Sequence, residues 1–334
     1  MKTQPLKARL KKLMIEYDEG IHIRGTDLWF DSKKRVQLSF LSNANVNHFV
    51  PHEKVIATPQ TLKLLGDRIK NSVVLACPFN RPFTLGKVQV ELIPAGYILG
   101  SSQIVAEIDG KRIIYTGDFK LRHAETAETA EVKRCDILIM KCTYGLPKYA
   151  FPSPEGVIDS LLVFIDESLS SGATPVLLVE VLGKAEDIAK VLGDRGYKLS
   201  VHRSIYKFIK IYEEFGIGFS NYERFRPREL KDRVLLVPIY LRGSDIVEKI
   251  ERKRIGAVMG WAVDKVFVKS VFGADEAFPL SSHAGYEELI QIVEISRPNE
   301  VYLIGGFSVE FARTLQKRGF NAKPLETPSQ LKLF

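Results

Sequence analysis

The sequence predicts a mixed α/β protein built as two units, and three observations carry that reading. Residues 20–115 break into short runs rich in β-branched and aromatic side chains separated by turns, the texture of packed sheet. From about residue 150, amphipathic helical segments alternate with short, wholly apolar strands, which is how a parallel sheet covered on both faces reads. Towards the C-terminus strand and helix alternate again, and a length of 334 residues suits two domains or one domain with a large insertion.

In order along the chain, strands are expected over residues 20–24, 28–31, 37–41 and 54–57, then over 88–93, 104–108 and 112–115. A helix is expected after Thr58-Pro59. The threonine hydroxyl can accept from an orphan first-turn amide, the fixed φ of proline suits the first turn, and Leu62, Leu64 and Leu65 follow. In the second unit, helices over Pro154–Ser170, 184–192 and 205–215 flank strands at 175–181 and 198–202. The tail predicts a helix at Tyr286–Ser296, a strand at Glu300–Ile304 and a helix over 309–318.

Hydrophobic residues make up 45% and charged residues 26%, enough to bury a core and too apolar for extended disorder. The longest apolar runs, such as Val176 to Val179, fall far short of the roughly 20 residues that span a bilayer, so no membrane association is expected. The first 17 residues are basic and amphipathic and lack the uninterrupted apolar stretch of a signal peptide, which makes a cytoplasmic protein the expectation. Cys77, Cys135 and Cys142 are odd in number and lack C-x-x-C spacing. They read as reduced core residues and not as a disulfide framework or zinc ribbon. A net charge of +8 mildly suits a polyanionic partner. Neither a G-x-x-x-x-G-K-[ST] phosphate loop nor G-x-G-x-x-G is present.

Three phrases are more specific: Pro94-Ala95-Gly96-Tyr97-Ile98-Leu99-Gly100-Ser101, Tyr115-Thr116-Gly117-Asp118-Phe119 and Cys142-Thr143-Tyr144-Gly145-Leu146-Pro147, each at an expected strand end. Further on come Gly183-Lys184-Ala185 opening a helix, Ser281-Ser282-His283-Ala284, and Val301-Tyr302-Leu303-Ile304-Gly305-Gly306. Together they resemble the metallo-β-lactamase fold of the β-CASP nuclease family over nearly the whole chain. The similarity extends to its short branch of ligase-associated DNA exonucleases and mRNA 3′-end-processing-like factors. The resemblance implies an α+β sandwich: an αββα core of residues 1–148 plus 272–334, with an inserted α/β β-CASP domain at 149–271.

Members of that family hold two zinc ions at the sandwich edge and hydrolyse phosphodiesters. Two adjacent cations need imidazoles and carboxylates around both, so that a bridging water becomes hydroxide and the phosphate oxygens are polarised. The family's H-x-H-x-D-H falls on Asn43-Ala44-Asn45-Val46-Asn47-His48, the P-A-G-H histidine on Tyr97, the G-D-F aspartate on Asp118 and the C-terminal histidine on Gly305. Of these seven positions only His48 and Asp118 keep strong ligands. Asparagine offers a neutral carbonyl oxygen, a poor substitute for imidazole or carboxylate. Asp31 matches the first family aspartate and His283 the proton-donating histidine, while the acidic residue that orients that histidine is Lys141. Without metals, Asp31 and Asp118 would lack a counter-charge, so Lys141 is expected to pair with one of them. The asparagines are expected to form a hydrogen-bonded turn.

The reading of function is therefore a catalytically inactive nuclease homologue, with no catalytic residue, metal or other cofactor expected. The expected partners are nucleic acid, DNA or RNA, a catalytic β-CASP paralogue, or a ligase- or helicase-type protein. Lys184, at a helix start where amides point outward, is the first residue expected to contact a phosphate, and His202, at a strand end, the second. The alternative is an active exonuclease holding zinc or manganese in a site rebuilt from His48, Asp118, the asparagines and His283.

Overall fold

The computed structural model describes residues 14–45, 49–227 and 229–326. Among them, β1 (Ile15–Tyr17), β2 (Ile21–Ile23), β3 (Leu28–Phe30), β4 (Leu38–Phe40), β5 (Lys54–Ala57) and β6 (Val73–Ala76) form a first sheet in that spatial order. Helix α1 (Pro59–Leu65) follows β5, and the Thr58 hydroxyl accepts from the Thr61 amide as the capping signal requires. Strands β7 (Phe83–Leu85), β8 (Val88–Pro94), β9 (Ser102–Ile108), β10 (Lys111–Tyr115) and β11 (Ile137–Lys141) begin a second sheet.

The chain then leaves for a third sheet, made of β12 (Thr174–Val179), β13 (Leu199–Val201), β14 (Tyr222–Arg224), β15 (Val234–Pro238), β16 (Lys253–Val258) and β17 (Glu276–Phe278). Its order is β14-β13-β15-β12-β16-β17 and every pairing is parallel. Parallel strands require crossovers that place helices on the sheet faces. Here α2 (Pro154–Ser170), α3 (Lys184–Asp194) and α4 (Arg203–Glu214) pack on one face, and α5 (Asp245–Glu248) and α6 (Lys265–Phe272) on the other. On its return the chain forms α7 (Tyr286–Ser296), β18 (Glu300–Ile304), α8 (Ser308–Lys317) and β19 (Ala322–Pro324), and the last two strands complete the second sheet as β19-β18-β11-β10-β9-β8-β7.

The period-two alternation of strands sorts side chains between layers. Ile113 and Tyr115 of β10, Ile137 and Ile139 of β11, and Tyr302 of β18 face the first sheet, meeting Phe30, Phe40 and Ile56. Their neighbours Ile114, Leu138, Met140 and Leu303 face the opposite way, onto Leu289 and Val293 of α7 and Phe311 of α8. The Phe30 and Tyr115 rings stack at 5.5 Å between centroids, pinning the two sheets together. With α1 against Val55 and Ala57 on the outer face of the first sheet, the layers run helix, sheet, sheet, helix.

The bounds of Lys54–Ala57, Pro154–Ser170, Tyr286–Ser296 and Glu300–Ile304 coincide with those expected. Two details differ. Strand β13 stops at Val201 because His202 leaves the ladder to cap α4, which then starts at Arg203 instead of 205. The inserted unit was expected to end at 271, yet β17 pairs with β16 in register Gly256–Glu276 to Val258–Phe278, so the third sheet runs on to residue 278. All three cysteines are buried and unpaired. Among the described residues, no helix is long and apolar enough to cross a membrane.

Candidate functional site

The ends of the core strands converge on one cleft. Asp31 follows β3, Asn43 and Asn45 follow β4, Tyr97 follows β8, Asp118 follows β10, Lys141 ends β11, Gly305 follows β18, and His283 lies between β17 and α7. All of them line a single cavity of about 390 Å³. Asn47 and His48 lie outside the described residues. Tight turns make the convergence possible: Gly117 has φ +57°, and a Cβ there would come within 2.4 Å of Ser42 Cβ, so the chain between Thr116 and Asp118 can pass the β4 loop only as glycine.

Within the cleft the polar groups engage one another. Lys141 Nζ lies 2.7 Å from Asp118 Oδ2, one of the two partners that the charge change at position 141 left open. Asn43 Nδ2 donates to the same oxygen at 3.2 Å, while Asn43 Oδ1 accepts from the Asn45 amide at 2.9 Å. Asn45 Nδ2 donates to the Tyr97 hydroxyl at 2.5 Å. Asn43 and Asn45 thus hydrogen-bond within a turn and also bridge β4 to the β8 and β10 loops. Asp31, with φ +44°, accepts from Ser42 N at 2.8 Å, Ser42 Oγ at 2.6 Å and Tyr115 OH at 2.7 Å. Gly305 N donates to Glu326.

These contacts set the ionisation of the site. Burial pushes the Asp118 carboxyl up, but the Lys141 ammonium, aided by His283 and the Lys141 and Asn43 hydrogen bonds, outweighs it and holds the group below its ordinary value. Burial likewise pushes Lys141 down, and Asp118 with Asp31 more than reverses this, leaving the ammonium firmly protonated. Tyr115 is raised well above its ordinary range by burial and by Asp31, which keeps its hydroxyl a donor. Burial holds His283 below its ordinary value against the pull of Asp118, and its Nδ1 has no hydrogen-bond partner among the described residues.

Among the described residues, which leave out Asn47 and His48, the donor set does not fit a zinc pair. At the described ligand positions Asp118 Oδ2 is engaged by an ammonium and an amide, and Asn43, Asn45 and Tyr97 hydrogen-bond among themselves and to Asp118. Gly305 supplies no side chain. A bound dication would lie against the Lys141 charge, a like-charge contact in a poorly solvated cleft. Among the described residues no group of three or more His, Cys, Asp or Glu side chains could hold a metal ion.

Neither of the two expected contact residues lines the cleft. Lys184 is 1% exposed, covered by segments far from it in sequence, and does not line the cleft. His202 is a cap: its Nδ1 accepts from the Ser204 amide at 3.3 Å and lies 2.8 Å from Ser204 Oγ. Conversely, Ser42, Tyr115 and Glu326 were not foreseen, because each acts through a partner distant in sequence. A tyrosine ending a buried strand three residues before Asp118 was the one available signal.

The paired sheets with outer helices, the inserted parallel sheet and a polar cleft at the strand ends define a class, and the chain belongs to it: the metallo-β-lactamase/β-CASP nuclease family. Within that class it is 31% identical over 322 residues to a probable DNA ligase of Opitutus terrae, spanning 96% of this chain and 32% of the ligase. It is 31% identical over 109 residues to an RNase J-like protein of Methanocaldococcus jannaschii, 32% of this chain and 26% of that protein. To the DNA cross-link repair protein SNM1 of Arabidopsis thaliana it is 22% identical over 299 residues, 78% of this chain and 59% of the relative. The chain therefore spans less than two thirds of each of these relatives. A crystal structure of a protein of unknown function from Enterococcus faecalis shares the fold, with TM-score 0.58 and 16% identity over 88% of this chain and 79% of that one. No family model matches the sequence.

Proposed function

We propose that this protein is a non-hydrolytic member of its nuclease family that binds nucleic acid, DNA or RNA, and works beside a catalytic partner of the β-CASP or ligase type. The observation that carries this reading is the Lys141–Asp118 pair, which puts a fixed protein cation against the one ligand carboxylate described in the cleft. A bridging hydroxide would need that carboxylate free. The net charge of +8 favours a polyanion, and the relatives named for DNA ligation, DNA cross-link repair and ribonuclease activity support nucleic acid as that polymer. A ligase-type partner is supported by the Opitutus relative, in which the matching segment is one part of a much longer chain.

The test is metal stoichiometry by mass spectrometry after dialysis against zinc and manganese, run together with oligonucleotide binding at several salt concentrations. The expected result is near-zero metal with a log K that falls linearly with log salt. One or two metals per chain together with cleavage of labelled strands would overturn the reading in favour of a rebuilt active site.

A further inference from the structure

Among the described residues, one sheet edge differs from the others. β1, β14, β17 and β19 each carry a charged residue, Glu16, Glu223, Glu276 and Lys323 among them, and at β7 both Phe83 and Leu85 are half-buried. β6 closes the first sheet with Val73-Val74-Leu75-Ala76, and every one of these residues is exposed, Val73 by 68%, Val74 by 46% and Leu75 by 44%. In a chain that is 26% charged, residues 71–80 carry no charge at all, and the first proline after the strand is Pro78. The edge therefore lacks the lysines, inward charges and strand prolines with which proteins deter strand pairing.

The backbone of β6 is set to take a further strand. Val73 N donates to Glu53 O at 2.8 Å and Cys77 N to Ala57 O at 2.9 Å, so residues 73, 75 and 77 bond inward to β5. Successive residues of a strand turn their N–H and C=O groups to alternate sides, hence those of Val74 and Ala76 point outward. A two-fold axis through Leu75 sets Val74 opposite Ala76 of a second copy and Ala76 opposite its Val74, each pair exchanging N–H···O bonds in both directions. Leu75 then meets its own mate at the axis, a non-hydrogen-bonded pair with Cα atoms about 4.5 Å apart. Leu75 lies beside Ile56, which faces the second sheet, and Val74 beside Val55 on the outer face, so pairing would extend both apolar layers.

We propose that β6 is a self-association edge, joining two copies of this chain in antiparallel register about a two-fold axis at Leu75 and running their first sheets into one. Charge decides the occupant. An isologous edge meets its own residues, so a charge near the axis would face its like, and a self-pairing segment has to be neutral. An edge that receives a different strand is free of that constraint and can carry charges complementary to its partner. Residues 71–80 meet the stricter condition. Pairing would also take from water the aliphatic side chains that β6 exposes on both faces. No residue of β6 lines the cleft, so this association is independent of any nucleic acid bound there.

The experiment is sedimentation velocity of the full chain, freed of nucleic acid, over about 1–100 μM, the range suited to a small interface. The expected result is a mass that rises from one chain towards two, equally at high salt because the contact holds no ion pair. Val74→Pro removes an N–H that β5 does not use, so the chain keeps its own ladder while dimerisation weakens about tenfold or more. Leu75→Cys is expected to give a disulfide-linked dimer on mild oxidation, which the buried cysteines of the wild type do not, and it tests the register should Val74→Pro fold poorly. A wild-type chain still monomeric at the highest concentration, a folded Val74→Pro chain that dimerises as tightly as wild type, or a Leu75→Cys chain that forms no cross-link would overturn the proposal.

Discussion

Replacing Lys141 by methionine keeps the length and most of the volume of the side chain but removes its charge, leaving Asp118 facing a cleft without its counter-ion. Breaking a buried pair from one side costs about 3–5 kcal/mol, whereas removing both partners is close to neutral. The side chains here are 31% and 13% exposed and Asp118 keeps its Asn43 hydrogen bond, which places Lys141→Met at the lower end, about 3 kcal/mol, or on the order of 5 °C in Tm. The double variant Lys141→Met/Asp118→Asn is expected within about 1 kcal/mol of wild type. The sign with pH follows from the direction of each shift. Asp118 is depressed, so its contribution is full above the ordinary carboxylate value and is lost as pH falls through the lower folded value. Lys141 is raised, so its contribution is full below the ordinary lysine value and is lost as pH rises through the higher folded one. In Lys141→Met only His283 and the Asn43 hydrogen bond still oppose burial, so Asp118 protonates at higher pH than in the wild type and the cost shrinks on acidification. Thermal unfolding of the four proteins of the cycle at pH 7 and pH 4 measures this. Additive single and double variants, or a Lys141→Met protein as stable as wild type, would refute the reasoning.

Tyr115→Phe removes one of three donors to Asp31 in a well-packed site and is expected to destabilise by about 1.5–3 kcal/mol, read by urea unfolding. Burial, then the neighbouring Lys120 charge, hold Lys184 down at about 7 despite Asp187 and Glu180, with Arg122 adding to the depression. Between pH 7 and the ordinary lysine value the unfolded chain therefore binds one more proton than the folded one, and stability from this group rises with pH across that window. Lys184→Met is expected to raise Tm at pH 6 and to lose that advantage towards pH 10, measured by scanning calorimetry.

Much was legible in local sequence because the physics behind it is local. The cap at Thr58-Pro59 and the patterns of Pro154–Ser170 and Tyr286–Ser296 are properties of a few adjacent residues, and the helices form where those patterns place them. That positions 43, 45, 97 and 305, which the resemblance aligns with family histidines, carry no imidazole is likewise written in residue type alone. Charge conservation within a cleft narrowed the partner of Lys141 to Asp118 or Asp31, and no further. Tertiary structure chose Asp118, because Asp31 already takes three hydrogen bonds from Ser42 and Tyr115, residues that only sheet packing brings to it. Lys184 shows the same divide from the other side. A lysine opening a helix reads as a solvated anion contact, but Lys120 and Pro279 belong to segments far from it in sequence, and their packing enclosed Lys184 in a recess of its own. Burial and charge pairing depend on contacts between distant parts of the chain, which residue pattern does not encode and the folded chain alone decides.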